Sequence, residues 1–305
     1  MSRDRYNIVL VTGTDFHHKY WVCSLCERYN VVAIIHPHPP STRLLNTIKR
    51  GSKYGYAWLP FKAASKLFNR LSKDSRGHRH NACEVKFFGD AGKRYEKLPK
   101  DLIHHVGSIN DPDVIQLMRD VSADVVCFLG GDLAKQEFLD TARIAGLNFH
   151  SGLSPFYNGA ATLYWAVSDF RPNFAGGTLM YITERVDGGP VLYHYLPPIS
   201  ADDDASSLFM KNIIGAVKLY DMALEAIQQG TPPTGVLQQR SMKYLRTIDW
   251  TIMQDLRLRY FNKNRMMRRF VRDEEVISYA EVSGDDAFTF EETLKVVLRK
   301  GEGDR

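Results

Sequence analysis

The chain of 305 residues is 44% hydrophobic, enough to bury one large core or two modest ones, and its 40 Lys and Arg against 35 Asp and Glu leave a formal net charge of +5. No apolar run approaches the roughly 20 residues of a membrane span, and Met1-Ser-Arg-Asp-Arg5 leads toward a strand rather than a signal peptide's apolar region. A soluble, cytoplasmic protein without membrane contact is expected.

Four scattered cysteines exclude a disulfide framework. Cys23 and Cys26 have the spacing of half a zinc site or of a redox pair, but Cys83 and Cys127 stand alone, so packed thiols are expected and no metal site is read. Basic residues crowd 43–100 and 240–272. They would suit nucleic acid or a small anionic ligand such as a nucleotide diphosphate, and a solvated surface explains them equally well.

In chain order, Tyr6-Asn-Ile-Val-Leu-Val-Thr-Gly13 predicts a buried parallel strand ending in a glycine turn, and a helix over 17–29 with a strand over 31–35 completes a βαβ unit. The loop Thr12-Gly-Thr-Asp-Phe-His-His18 lacks G-x-G-x-x-G, which removes a dinucleotide fingerprint, although its N–H groups would suit an anion at the helix start. From 37 to 98 the regularity lapses. Basic helical segments are predicted at 44–49 and 60–71, and 75–80 reads as loop; the block lacks the periodicity for its own core, so an insertion is expected.

Order resumes with a strand end at 106–110, a helix from Asp111-Pro-Asp113 over 114–121, a buried strand at 124–129 ending in Gly130-Gly131, a helix over 135–142 and a strand over 147–150. This alternation predicts an α/β class: a Rossmann-like, mostly parallel sheet with helices on both faces. Beyond it come a loop to Gly159, a helix over 160–168, strands at 177–183 and 190–195, and a long helix ending near 229. Gly230-Thr-Pro-Pro-Thr-Gly235 is the clearest boundary, dividing a main domain, 1–230, from a small C-terminal helical and β subdomain, 231–305. The latter holds a basic helical stretch at 250–271, a strand-like 275–282 and a frayed end at 301–305.

Chemistry concentrates at Gly146-Leu-Asn-Phe-His-Ser-Gly-Leu-Ser-Pro155. Side chains alternate along a strand, so Asn148 and His150 share one face while Leu147 and Phe149 take the other. Ligands of open parallel sheets bind outside the carboxyl ends of the strands, where these two residues and Gly130-Gly-Asp132 sit. If the fold returns Asp187, an amide, an imidazole and a carboxylate meet: an oxyanion donor, a proton carrier and a group to orient it, the equipment for moving an acyl group.

Asn148-Phe-His150, Ser151-Gly-Leu-Ser-Pro155 with Gly159, Gly176-Gly-Thr178 and Asp187-Gly-Gly189 together resemble the signature of the folate-dependent formyltransferases, over roughly residues 100–230. That superfamily includes glycinamide ribonucleotide, methionyl-tRNA and sugar N-formyltransferases, and Gly152 and Ser154 bring the loop nearest the sugar type. Asn158 departs from it, standing where an Arg is usual. The resemblance implies 10-formyltetrahydrofolate as co-substrate, its pterin lodged between Leu129, Gly130, Gly131, Asp132 and Leu133 on one side and Ile182, Glu184 and Val186 on the other. It implies an oxyanion held by Asn148 and His150, with protons moving through His150 and a water on Asp187. Ser151, Ser154, Tyr157, Asn158 and Tyr164 would border the acceptor, and a cis Ser154–Pro155 bond is expected on the same ground.

For the acceptor, the tail after Pro233 is short for the β-barrel of the methionyl-tRNA enzymes, and 12–18 does not match the glycine-rich phosphate loop of the glycinamide ribonucleotide enzymes. A primary amine on a nucleotide-linked amino sugar is what remains, with Tyr157 or Tyr164 as candidates to stack on it. The alternatives are a formyltetrahydrofolate hydrolase, a hydroxyornithine or tRNA formyltransferase, and, outside catalysis, an RNA- or nucleotide-binding protein using the basic stretch 257–272. Nucleic acid is the less favoured partner, and a homodimer is compatible with this reading.

Overall fold

The computed structural model describes residues 6–38, 59–238, 241–280 and 290–298. The first half builds β1 (Ile8–Thr12), α1 (Phe16–Cys26), β2 (Val31–Pro37), α2 (Leu59–Leu71), α3 (Arg76–Phe88), α4 (Ala91–Tyr95), β3 (Ile103–Val106), α5 (Pro112–Asp120), β4 (Val125–Leu129), α6 (Gln136–Leu139) and β5 (Ala145–His150). The second adds β6 (Asn158–Gly159), α7 (Thr162–Ser168), β7 (Gly177–Tyr181), β8 (Val191–Leu196), α8 (Ala205–Gln228), β9 (Tyr244–Leu245), α9 (Ile252–Lys263), β10 (Glu275–Ser278) and α10 (Glu291–Leu298).

One eight-stranded sheet organises the molecule, in the order β10-β8-β7-β5-β4-β1-β2-β3. From β3 through β5 the strands run parallel; β7, β8 and β10 continue the sheet antiparallel. This is the Rossmann-like, mostly parallel sheet that the strand–helix alternation predicts. All five residues of β1 and of β4 are buried because both faces are covered, which is why these strands read as unbroken apolar runs. Ile8 and Leu10 face a core shared with α1 and α8, while Val9 and Val11 face a second core under α5.

Helix α8 is the long strut beneath the site. Asp204 caps it, its carboxylate accepting from the N–H groups of Ser206 and Ser207. Its apolar stripe, including Ile213, Ala216, Val217 and Tyr220, fills the first core. A third cluster joins Leu153, Phe156, Trp165 and Leu208 to Val236, Trp250, Phe261 and Phe290 from beyond residue 230.

The structure corrects several boundaries. Residues 75–80 are not loop: Ser75 caps α3, its hydroxyl accepting from His78 N–H at 3.4 Å. The strand expected at 106–110 is Ile103–Val106, drawn earlier by pairing with β2, and the helix expected at 135–142 shortens to Gln136–Leu139. The strand expected at 275–282 runs Glu275–Ser278; its end, the segment 44–49 and the terminus 301–305 lie outside the described residues. All four cysteines are free, and burial pushes the Cys23 thiol up to about 11 and that of Cys26 up to about 12, as expected of packed thiols. Among the described residues no helix is long and apolar enough to cross a membrane.

Candidate active site

Strand β5 positions the first two groups. It lies between β4, parallel, and β7, antiparallel, with Asn148 opposite Phe128 and His150 opposite Thr178. Leu147 and Phe149 enter the core, so Asn148 and His150 open together onto a cavity of about 870 Å³. The chain then leaves the sheet through a loop stapled by Thr178, whose hydroxyl donates to Gly152 C=O at 2.6 Å and accepts from Ser154 N–H at 2.9 Å. The Ser154–Pro155 peptide is cis, as expected. The loop returns Tyr157 C=O to 2.9 Å from His150 Nε2. A Cβ at residue 152 would lie 2.5 Å from both of those atoms, so the imidazole fits only beside a glycine.

Asp187 arrives on the turn between β7 and β8, with φ of 48°, a left-handed conformation that a non-glycine residue adopts only when its surroundings hold it there. They do. Its Oδ2 accepts from Gly159 N–H at 2.9 Å, and its carbonyl accepts from Asn158 Nδ2 at 3.1 Å and Gln238 Nε2 at 3.0 Å. Oδ1 is left 3.3 Å from His150 Nδ1. Tyr157 C=O is an acceptor, so Nε2 is the ring nitrogen that carries a proton toward it, and Nδ1 faces the carboxylate. Asn158, the departure from the family pattern, holds the Asp187 turn and is buried.

Of the other residues singled out from sequence, Leu129, Gly130, Gly131, Ser151 and Val186 line the cavity with Asn148, His150 and Asp187. The rest stand elsewhere. Asp132 is not on its wall, Leu133 is exposed, Ile182 packs over Gly146, and Glu184 accepts from Gln136 N–H at the start of α6. Ser154 is fully buried behind the loop, its carbonyl accepting from His194 Nε2 at 2.8 Å. Tyr157 and Tyr164, the candidates to stack on a ligand, both place their rings in the third core, and burial pushes both phenols up. The Tyr157 hydroxyl donates to Asp169 at 3.1 Å, and that of Tyr164 lies 2.7 Å from His80 Nδ1.

Several wall residues escaped the sequence reading: His17 and His18 at the start of α1, Phe209 and Ile213 on α8, and residues 244–247. Their one signal was the polar loop after the first strand; the others lie far along the chain. Burial, and next the neighbouring His17, lower the affinity of the His18 and His80 rings for protons. For Glu84, burial alone would push the carboxyl up, but hydrogen bonds from His17 outweigh it and hold the group below its usual range.

Residues 86–218 match a family model described as formyl transferase. A methionyl-tRNA formyltransferase of Rhodopirellula baltica is 32% identical over 124 residues, 40% of this chain and 34% of that protein. One of Pelotomaculum thermopropionicum is 29% identical over 164 residues, 52% of each. The chain thus spans from about a third to about half of the length of these relatives. A solved structure from Mycobacterium tuberculosis, of an uncharacterised protein described as a candidate sugar N-formyltransferase, shares the fold: its TM-score is 0.51 at 13% identity, covering 83% of this chain and 85% of that one. Asn148, His150 and Asp187 all fall inside the matched stretch, and residues 86–218 are similar in sequence to the formyltransferases.

Proposed function

We propose that the chain transfers a formyl group from 10-formyltetrahydrofolate to a primary amine, with Asn148, His150 and Asp187 as its catalytic set. The observation that carries this is their convergence: two side chains on one strand face and a carboxylate 3.3 Å from the imidazole, all on one cavity. A cavity of about 870 Å³ lies within the usual size of small-molecule sites, and glycines 130 and 131 let a flat ligand approach the backbone at the end of β4. The donor supplies a formyl carbon already activated on nitrogen.

The acceptor nitrogen adds to that carbon, and the carbonyl oxygen takes the negative charge. Asn148 offers amide N–H groups to it. His150 Nε2 is committed to Tyr157 C=O, whereas 3.3 Å from Asp187 is longer than a firm N–H···O bond, so Nδ1 is the ring atom left to act. Asp187 is anchored through Oδ2, leaving Oδ1 to hold a water beside Nδ1. As the bond from the formyl carbon to the donor nitrogen breaks, the proton lost by the amine passes through this water and His150 to the departing nitrogen.

For the acceptor we favour a nucleotide-linked amino sugar. Beyond residue 230 the described residues form helices α9 and α10 and strands β9 and β10, which join two different sheets, and residues 244–247 among them close the cavity around a small acceptor. The methionyl-tRNA relatives and the exposed basic residues Arg257, Arg259 and Lys263 on α9 favour tRNA as the second reading. The deciding experiment offers 10-formyltetrahydrofolate with amino sugar nucleotides, ornithine derivatives or initiator tRNA and follows folate release. Release without acceptor would mark a hydrolase. Asn148→Ala and Asp187→Ala should keep the wild-type circular dichroism and lose about a hundred- to thousandfold in turnover. Near-normal turnover in either variant would end the proposal.

A further inference from the structure

Two helices bring a second group of side chains together behind the same cavity, and one of them, His17, lines it. Helix α1 carries His17 in its first turn, and α3 carries His80 and Glu84 four residues apart, on one face. One nitrogen or carboxylate oxygen from each lies within 4.8 Å of the other two. We propose that His17, His80 and Glu84 bind a divalent transition-metal ion of the zinc class beside the cavity.

The ligand chemistry argues for that class. Two imidazoles and one carboxylate suit zinc and its neighbours, whereas calcium and magnesium take oxygen ligands almost alone. Bonds of about 2.0–2.2 Å to such an ion would draw the three atoms together by small side-chain rotations. Support from the surroundings fits as well. His80 Nδ1 is 2.7 Å from the Tyr164 hydroxyl, which leaves Nε2 to face the ion, and the Phe209 ring sits 5.2 Å from both imidazoles as an apolar wall.

A separate observation points to a missing partner at this place. The His18 ring stacks edge-on against His17 with centroids 3.9 Å apart, and its buried Nδ1 has only the Gly13 backbone beside it, at a geometry short of a full hydrogen bond. A buried unsatisfied nitrogen calls for an explanation, and a bound ion or its water would supply one. Asp15, His17 and His18 meet the same distance criterion, but Asp15 is exposed and His17 is shared, so one ion is held, and the trio with two buried members, His17 and Glu84, anchors it. His17 Nδ1 and Glu84 Oε1 lie 2.5 Å apart as a hydrogen-bonded pair; an ion binding both takes the place of the proton between them, which leaves to solvent. Three protein ligands leave a coordination position for water or a ligand oxygen.

The test uses the full chain, stripped with a chelator and titrated with zinc chloride by calorimetry and elemental analysis. One zinc per chain is expected. Glu84→Gln and His80→Ala should each weaken uptake by more than about a hundredfold, while the double variant Cys23→Ser, Cys26→Ser keeps it. Copper(II) bound to the wild-type chain should show at least two nitrogen ligands by electron paramagnetic resonance, a readout that needs no variant to fold. No uptake, uptake indifferent to both variants, uptake lost with the cysteines, or fewer than two nitrogens would each overturn the proposal.

Discussion

His194 and His150 lie two strands apart in one sheet, and their surroundings separate them. His194 is fully buried, Nδ1 2.7 Å from Thr293 Oγ1 and Nε2 2.8 Å from Ser154 C=O. Burial pushes its pKa down to about 3, against a hydrogen bond to Ser154 that works in the other direction. Between that value and the ordinary one near 6.5, the unfolded chain binds a proton that the folded chain refuses. Stability from this group is therefore complete above the ordinary value and drains away as pH falls toward 3, with a slope of up to about 1.4 kcal/mol per pH unit. Urea unfolding on either side of the ordinary histidine value should show the decline, and the His194 ring proton resonances should not titrate while the chain is folded. A ring that titrates near 6.5 in the native state would contradict this. His150, by contrast, faces a carboxylate and a cavity. Its pairing with Asn148 was legible because strand alternation alone puts residues 148 and 150 on one face. The fate of Tyr157 and Tyr164 was not, because an aromatic beside a loop reads the same whether its ring meets a ligand or a core.

At the scale of elements, the contact between α8 and β8 shows how tightly the site's supports are fitted. A Cβ on Gly215 would stand 2.1 Å from the Tyr195 ring, so the helix reaches the sheet only because residue 215 has no side chain. Gly215→Ala should cost about 1–3 kcal/mol through overpacking, read as a lowered urea midpoint at unchanged slope. It should also reduce turnover, since the same helix presents Phe209 and Ile213 to the cavity. A variant as stable as wild type would mean that helix and sheet are not closely packed there. The buried parallel strands were legible as apolar runs, since burial on two faces leaves no polar positions. Helix α3 was not, because its first turn is polar and its two buried residues, Glu84 and Phe88, gain their meaning only from α1 and the first core. The antiparallel continuation β7-β8-β10 was equally hidden: pairing direction depends on partners far along the chain.

Over the whole molecule, residues beyond 230 are bound into the structure at three levels. Strand β10 extends the main sheet from β8, Gln238 grips the carbonyls of Asp187 and Gly189, and residues 244–247 complete the cavity wall. Trp250 meets Trp165 with ring centroids 5.1 Å apart, and Lys62 of α2 donates to the carbonyls of Thr247 and Trp250. Val236, Trp250, Leu258, Phe261, Met267, Tyr279, Phe290 and Val297 are all buried in the third core. At roughly 1.5–3 kcal/mol for each buried apolar side chain, their combined burial rivals or exceeds the roughly 5–15 kcal/mol that holds a typical native protein together. A chain ended after Gly230 should therefore show no cooperative thermal transition and lose its near-ultraviolet circular dichroism. A truncated chain that melts cooperatively near the full-length Tm and still turns over folate would show that one core suffices and that the tail only decorates the site.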